Sequence, residues 1–158
     1  MAEDDLQQRA LDYVMTILSQ RAYTEHQLRE RIARRFGPHA TEIDTDSILD
    51  QLREYNLVND ELFAEQYAET YRLRRGPIRI AQELRQRGVA EPIIAEAIAK
   101  LHRTTDFVEC AHALITERAW RYQVAEGADF TEFAKAKQRA WGFLARAGYE
   151  IETIEVVL

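Results

Sequence analysis

The chain has 158 residues, 46 % of them hydrophobic, with 27 acidic and 21 basic side chains and a formal net charge of −6. These values describe one domain or a few small modules sharing a core, and they exclude a disordered chain; no apolar run approaches the roughly 18–20 residues of a membrane span. An acidic start, MAEDDLQQ, lacks the basic-then-apolar pattern of a signal peptide, and the one cysteine, Cys110, rules out an internal disulfide framework. A soluble cytoplasmic protein is expected, with no membrane association.

Six glycines, three prolines and no alternating β-branched runs predict an all-α chain. The first helix covers about Leu6 to Arg21, with Leu11, Val14, Met15 and Leu18 at the three- and four-residue spacing of one face. Thr24-x-x-Gln27 is a capping-box pattern that opens a second helix, lined by Leu28, Ile32 and Phe36 and stopped by Gly37-Pro38. After a short acidic link, Asp44 or Thr45 caps a third helix with Ile48, Leu49, Leu52 and Tyr55 inward, closed by Asn56. Asn59 or Asp60 caps a fourth, along which Phe63, Tyr67 and Tyr71 recur every four residues.

Pro77, a good first helical residue because its missing N–H has no partner there, opens a fifth helix that buries Ile80 and Leu84 and ends at Gly88. Pro92 opens a sixth, with Ile94, Ala97, Ile98 and Leu101 inward. Thr104 or Thr105 begins a seventh, carrying Phe107, Val108, Ala111, Leu114 and Ile115. Tyr122 to Ala128 reads as a loop. An eighth helix, about Thr131 to Ala147, carries Phe133, Trp141 and Leu144, and a short ninth carries Ile151, Ile154 and Val157.

These helices group in threes. Gln27-Leu28-Arg29-Glu30-Arg31 matches Glu83-Leu84-Arg85-Gln86-Arg87 at an offset of 56, and Leu84-x-x-x-Gly88 matches Leu144-x-x-x-Gly148 after a further 60. Charge follows the same period. From Arg72 to Arg87 there are six arginines against one acid, Glu83; residues 21–35 and 131–148 are each net basic by +3. The middle helix of every triplet is therefore basic in an acidic protein. Units of about 50 residues bury little apolar surface alone and stabilise one another by stacking, so three tandem three-helix repeats are expected, at 1–58, 59–102 and 103–158, in an elongated, curved array with a basic ridge.

Catalysis has no visible seat: there is no Walker loop, no G-x-G-x-x-G and no G-x-S-x-G. Cys110 and His112 are two apart and point to different faces of a helix, so they form no ligand pair, and Cys110 reads as a small core residue. Asp44, Asp46 and Asp50 lack the glycine and the further oxygen ligands of a calcium loop, and capping on an acidic face accounts for them. The Phe63, Tyr67, Tyr71 row could stack on bases, but at helical spacing it reads as core, as does Trp141. The arginine stretch resists such an account. A like-charged run gains nothing for folding and repels itself, whereas arginine forks suit phosphate or carboxylate. Sequence-specific DNA reading is not expected, because the fifth helix begins Pro77-Ile78-Arg79-Ile80, too apolar for base-edge contacts.

Three segments resemble the RecX family, regulators of the RecA recombinase. Arg21-Ala22-Tyr23-Thr24-Glu25-His26-Gln27-Leu28-Arg29 resembles its Arg-x-x-Ser/Thr-x-x-Glu-Leu-Lys/Arg segment, with Gln27 where Glu is usual. Leu57-Val58-Asn59-Asp60-x-x-Phe63-Ala64 resembles a second segment, and Gly76-Pro77-x-Arg79-Ile80-x-x-Glu83-Leu84-x-x-Arg87-Gly88-Val89 resembles the family's most specific signature. Lys135-x-Lys137 through Leu144-x-x-x-Gly148-Tyr149 fits its closing repeat. The resemblance implies three tandem three-helix repeats and a non-enzymatic monomer without cofactor or metal. It also implies binding in the groove of RecA filaments. There the protein would block extension and suppress RecA's ATPase, strand-exchange and coprotease activities, in DNA repair, recombination and the SOS response.

The residues expected to meet RecA or DNA phosphate are Arg72, Arg74, Arg75, Arg79, Arg85 and Arg87, extended by Arg29, Arg31, Lys135, Lys137 and Arg139. Gly76, Pro77, Ile80, Leu84 and Gly88 shape the module, and the arginines face outward. The alternative is a non-specific helical array that contacts single- or double-stranded DNA weakly and acts by competing for it; an inert scaffold leaves the arginines unexplained.

Overall fold

The computed structural model describes residues 2–158 (for Trp120, the backbone alone), and among these residues it is a helical repeat array with no strand. Helices α1 (Ala2–Leu18), α2 (Glu25–Phe36) and α3 (Thr45–Glu54) are followed by α4 (Asp60–Tyr71), α5 (Pro77–Gln86) and α6 (Glu91–Thr104). Then come α7 (Phe107–Glu117), α8 (Phe130–Arg146) and α9 (Ile151–Val157). Short 3-10 helices occupy Gly37–Glu42, where an acidic link was expected, and Ala119–Arg121.

Local chemistry sets most of the boundaries. The Thr24 hydroxyl accepts the Gln27 N–H while the Gln27 side chain accepts the Thr24 N–H, a complete capping box. Asp44, Asn59, Asp106 and Asp129 each accept an N–H three residues on, at 2.9–3.0 Å. Pro77 and Pro92 stand in the first turns of α5 and α6. Asn56 closes the α3 segment in the left-handed region, at φ 54°. The expected start of the seventh helix at Thr104 or Thr105 is corrected: α6 continues through Thr104, and α7 begins only after the Asp106 cap.

Buried side chains form two clusters. One joins α1, α2 and α3 through Ala10, Val14, Leu28, Ile32, Ile48, Leu49, Leu52 and Val58. The other runs without a break from Ala64 and Ile80 through Leu101 and Phe107 to Leu144 and Ile154. The repeat-equivalent leucines Leu28, Leu84 and Leu144 are all fully buried, each contributing about 2 kcal/mol of apolar burial. Several other expected core residues are not inside. Met15, Tyr55, Val108, Phe133, Trp141 and Ile151 are exposed. On α8 the buried stripe is Ala136, Ala140 and Leu144; Trp141 falls off it, and Phe133 lies on its line but one turn ahead of its first buried residue.

The middle helices meet end to end. The Thr24 hydroxyl, at the start of α2, donates to the Arg87 carbonyl at the end of α5, at 2.6 Å. In the same way, at the start of α5, the Gly76 and Ile78 N–H groups donate to the Ala147 and Gly148 carbonyls beyond α8, at 2.8 and 3.0 Å. The positive end of one helix dipole thereby faces the negative end of the next, and otherwise orphaned carbonyls gain donors. Gly88 and Gly148 permit this approach. Both are left-handed, at φ 75° and 92°, and a Cβ on either would lie 2.2–2.3 Å from the Cβ of His26 or Arg79.

Candidate partner-binding surface

The arginine-rich segment wraps the α4–α5 turn, and its geometry is set by the single acid within it. Glu83 points from α5 toward α4, where its carboxylate accepts the Tyr67 hydroxyl at 2.7 Å and the Arg75 guanidinium at 2.5 Å. Its second oxygen accepts Arg79 Nε at 3.0 Å, one turn earlier on the same helix face. Arg75 also donates to the Tyr67 oxygen at 3.0 Å and lies over the Tyr71 ring at 3.9 Å. Arg87 donates to the Glu83 backbone carbonyl at 2.9 Å and covers the Tyr67 ring at 4.6 Å.

Electrostatics follow from this packing. Burial pushes the Glu83 carboxyl up, but the hydrogen bonds from Tyr67, Arg79 and Arg75 outweigh it and hold the group below the ordinary carboxylate range. Burial and the bond to Glu83 both raise the Tyr67 phenol. For Arg75, burial opposes the charge and the Glu83 bond more than restores it. Two arginines, Arg75 and Arg79, therefore share the Glu83 carboxylate, and Arg87 meets the same residue at its backbone carbonyl.

The other basic residues differ in how they are held. Arg72 donates to Glu69 at 2.8 Å, Arg85 pairs with Glu91, and Arg29 pairs with Asp46 at 2.5 Å. Arg31 lies over the Tyr23 ring at 5.3 Å, beside Arg21 at 4.6 Å. Arg74 in the turn, and Lys135, Lys137 and Arg139 on α8, are exposed and have no side-chain partner among the described residues. The expectation that the arginines of residues 72–87 all face outward is thus corrected for Arg75, Arg79 and Arg87, which fold back onto Glu83 and Tyr67.

Gly76, Pro77, Ile80 and Leu84 are buried in the frame beneath these side chains, and Gly88 lies at its end against His26. Neither Glu83 nor Tyr67 was singled out as a site residue from the sequence. The i,i+4 spacing of Arg79 and Glu83 carried that signal; the approach of Tyr67 depends on how α4 packs on α5.

Among the described residues, no group of three or more His, Cys, Asp and Glu is placed to hold a metal ion. Cys110 is buried, and burial raises its thiol. No helix among them is long and apolar enough to cross a membrane.

Residues 59–98, which contain the whole Glu83 network, match the family model for RecX, second three-helix domain. A protein of Chromobacterium violaceum named regulatory protein RecX is 33 % identical over 144 residues, covering 90 % of this chain and 84 % of that protein. The protein of the same name in Pasteurella multocida is 34 % identical over 146 residues, covering 90 % and 82 %. A crystal structure of regulatory protein RecX superposes with a TM-score of 0.77 at 25 % identity, covering 99 % of this chain and 73 % of that one. The structure of RecX from Lactobacillus salivarius also gives 0.77, at 20 % identity, covering 98 % and 95 %, and so shares the fold.

Proposed function

The chain belongs to the RecX family of regulatory proteins, and from that membership we propose that it binds filaments of the RecA recombinase on single-stranded DNA and restrains their activity. The observation that carries this reading is the ordered basic surface at the α4–α5 turn. Tyr67 and Glu83 fix Arg75 and Arg79 in place, and Arg74 projects from the same turn with its charge unpaired. A prearranged group of guanidiniums loses little side-chain freedom on meeting carboxylates or phosphates, so its attraction is realised as binding.

In this reading the protein acts as a cytoplasmic monomer, by occupying the filament and not by a reaction of its own. It lies in the filament groove, bridges neighbouring subunits, blocks extension and lowers ATP hydrolysis, strand exchange and coprotease activity. DNA repair, recombination and the SOS response are the processes it would modulate.

The test is RecA-catalysed ATP hydrolysis on single-stranded DNA with increasing amounts of this protein. Inhibition well below one copy per recombinase is expected, because one bound copy at a growing end affects many subunits. Inhibition that appears only when the protein could coat the DNA would replace filament binding by competition for DNA.

A further inference from the structure

Leu73, Ile78 and Ile151 are large aliphatic residues that the fold leaves uncovered, 58, 45 and 57 % exposed. They gather at one place. The Gly76 and Ile78 N–H groups donate to the Ala147 and Gly148 carbonyls, which ties the start of α5 to the corner between α8 and α9. Leu73 stands three residues before Gly76, and Ile151 three after Gly148. Chain of that length keeps both within about 11 Å of the junction. Ile78 faces away from the buried Pro77, Ile80 and Leu84, on the side of the exposed Gln82. Single exposed apolar residues are ordinary on a protein surface, but three around one junction make a patch.

Most charges around this patch are matched within the chain. Arg72 pairs with Glu69, Arg75 and Arg79 pair with Glu83, and Arg85 pairs with Glu91. Arg87 lies against the Tyr67 ring. Arg74, next to Leu73, is exposed and has no side-chain partner among the described residues. A phosphate backbone crossing the turn would meet that guanidinium among the carboxylates of Glu69, Glu83 and Glu91, and it gains nothing from aliphatic side chains. A protein surface can use both features. Covering Leu73, Ile78 and Ile151 removes apolar area from water, and a carboxylate against Arg74 forms a charge-assisted pair at the edge. Apolar side chains inside a polar rim are the ordinary anatomy of a protein interface.

We propose that this junction is a protein-docking surface whose partner, on the filament reading from which the proposal proceeds, is the recombinase subunit and not the DNA inside the filament. Leu73, Ile78 and Ile151 seat against apolar side chains of that subunit, and Arg74 meets a carboxylate beside them. The surface is composite. Leu73, Arg74 and Ile78 come from the α4–α5 turn and the start of α5, whereas Ile151 begins α9. They stand together because the two backbones meet closely: a Cβ on Gly76 would lie 2.2 Å from the Gly148 carbonyl oxygen. The junction thus holds the patch in one shape before a partner arrives, and little ordering is left for binding to oppose.

The full chain and its Leu73→Gln, Ile78→Gln and Ile151→Gln variants are compared in two assays. One is inhibition of RecA-catalysed ATP hydrolysis on single-stranded DNA; the other is fluorescence anisotropy of a labelled thymidine homopolymer without recombinase. Glutamine keeps side-chain length and suits a helix, so urea midpoints should match the parent. Each variant is expected to need about tenfold more protein for half-inhibition, with homopolymer binding unchanged. Ile78→Leu, which keeps the apolar area, should inhibit like the parent, and it reads the site even where a glutamine variant fails to fold. Folded glutamine variants that inhibit like the parent would overturn the docking surface and leave the filament reading standing. Parallel loss of inhibition and homopolymer binding would also overturn it, by assigning the junction to DNA. A parent that leaves RecA's ATPase unchanged would overturn the filament reading and this proposal together.

Discussion

Glu83 accepts the Arg75 guanidinium at 2.5 Å across the α4–α5 turn, and both side chains are mostly buried, 16 % and 25 % exposed. The one acid of the arginine stretch is therefore an organiser of positive charge, not a dilution of it. Removing it separates two accounts of the surface. If only charge mattered, Glu83→Gln would remove one negative charge and strengthen attraction to an anionic partner. With Glu83 as organiser, the variant leaves Arg75, Arg79 and Tyr67 one neutral acceptor oxygen in place of the two of a carboxylate, and sets an amide donor against a donor. Stability is then expected to fall by about 1–3 kcal/mol, and inhibition of RecA to weaken as well. Urea unfolding and the ATPase titration measure the two effects; a tighter inhibitor of unchanged stability would reject the organising role.

Acid should act on the same group. The folded-state pKa of Glu83 is depressed, so its contribution is present above the unfolded carboxylate value, about 4.3, and is lost as pH falls through the folded value. Glu25 behaves alike, its carboxyl lowered by the bond from Arg53 against the opposing effect of burial. Asp60 is raised by burial and has the opposite sign, softening the total. Parent and Glu83→Gln proteins should differ most near pH 7 and converge toward pH 3, where a protonated Glu83 resembles glutamine. Urea midpoints across that range measure the gap. A gap as wide at pH 3 as at pH 7 would show that the ionised form contributes nothing.

The end-to-end junctions make a graded prediction for glycine. Gly148→Ala would place a Cβ 2.4 Å from the Arg79 backbone N, and Gly88→Ala would place one 2.2 Å from the Cβ of His26. Gly37 is also left-handed, at φ 53°, but nothing lies within 4 Å of the Cβ it lacks. Gly37 also has ψ −126°, outside the left-handed helical well, and alanine there should cost about 1–3 kcal/mol of backbone strain alone. At Gly88 and Gly148 an overpacking cost of about 1–3 kcal/mol is added. Chemical denaturation of the three variants should rank Gly37→Ala as the mildest, and equal losses at all three would mean that the junctions yield without resistance.

The repeat was legible because it is written in residues whose roles are local. Thr24 caps, Pro77 starts a helix, Gly88 and Gly148 end helices, and Leu28, Leu84 and Leu144 recur at one core position. Where large apolar residues stood in for burial, the inference failed. Phe133 and Trp141 look like core at helical spacing, yet alanines form the stripe that packs, because Ala136 and Ala140 let the backbones come close. The charged surface was half legible. Counting six arginines located it, but the count could not tell Arg75, drawn in by Tyr67 and Glu83, from Arg74, which is free. That distinction depends on contacts between α4 and α5, eight to sixteen residues apart in the chain.

Arg74 supplies the clearest test of the surface for this reason. Reversing Arg75 or Arg79 would break the Glu83 network, so a lost activity could reflect a disturbed turn. Reversing Arg85 would place an acid against Glu91. Arg74 is exposed, has no side-chain partner among the described residues, and sits where its backbone N–H, not its side chain, closes the turn on the Tyr71 carbonyl at 3.0 Å. Arg74→Glu should therefore leave the unfolding midpoint within about 0.5 kcal/mol of the parent. Inhibition of RecA should weaken about tenfold, the scale of one well-placed charged contact at an interface. Arg74→Lys, which keeps the charge and loses the planar fork, should fall between the two if the partner group is a carboxylate or phosphate held by two hydrogen bonds. Full inhibition by a folded Arg74→Glu protein would remove the α4–α5 turn from the interface.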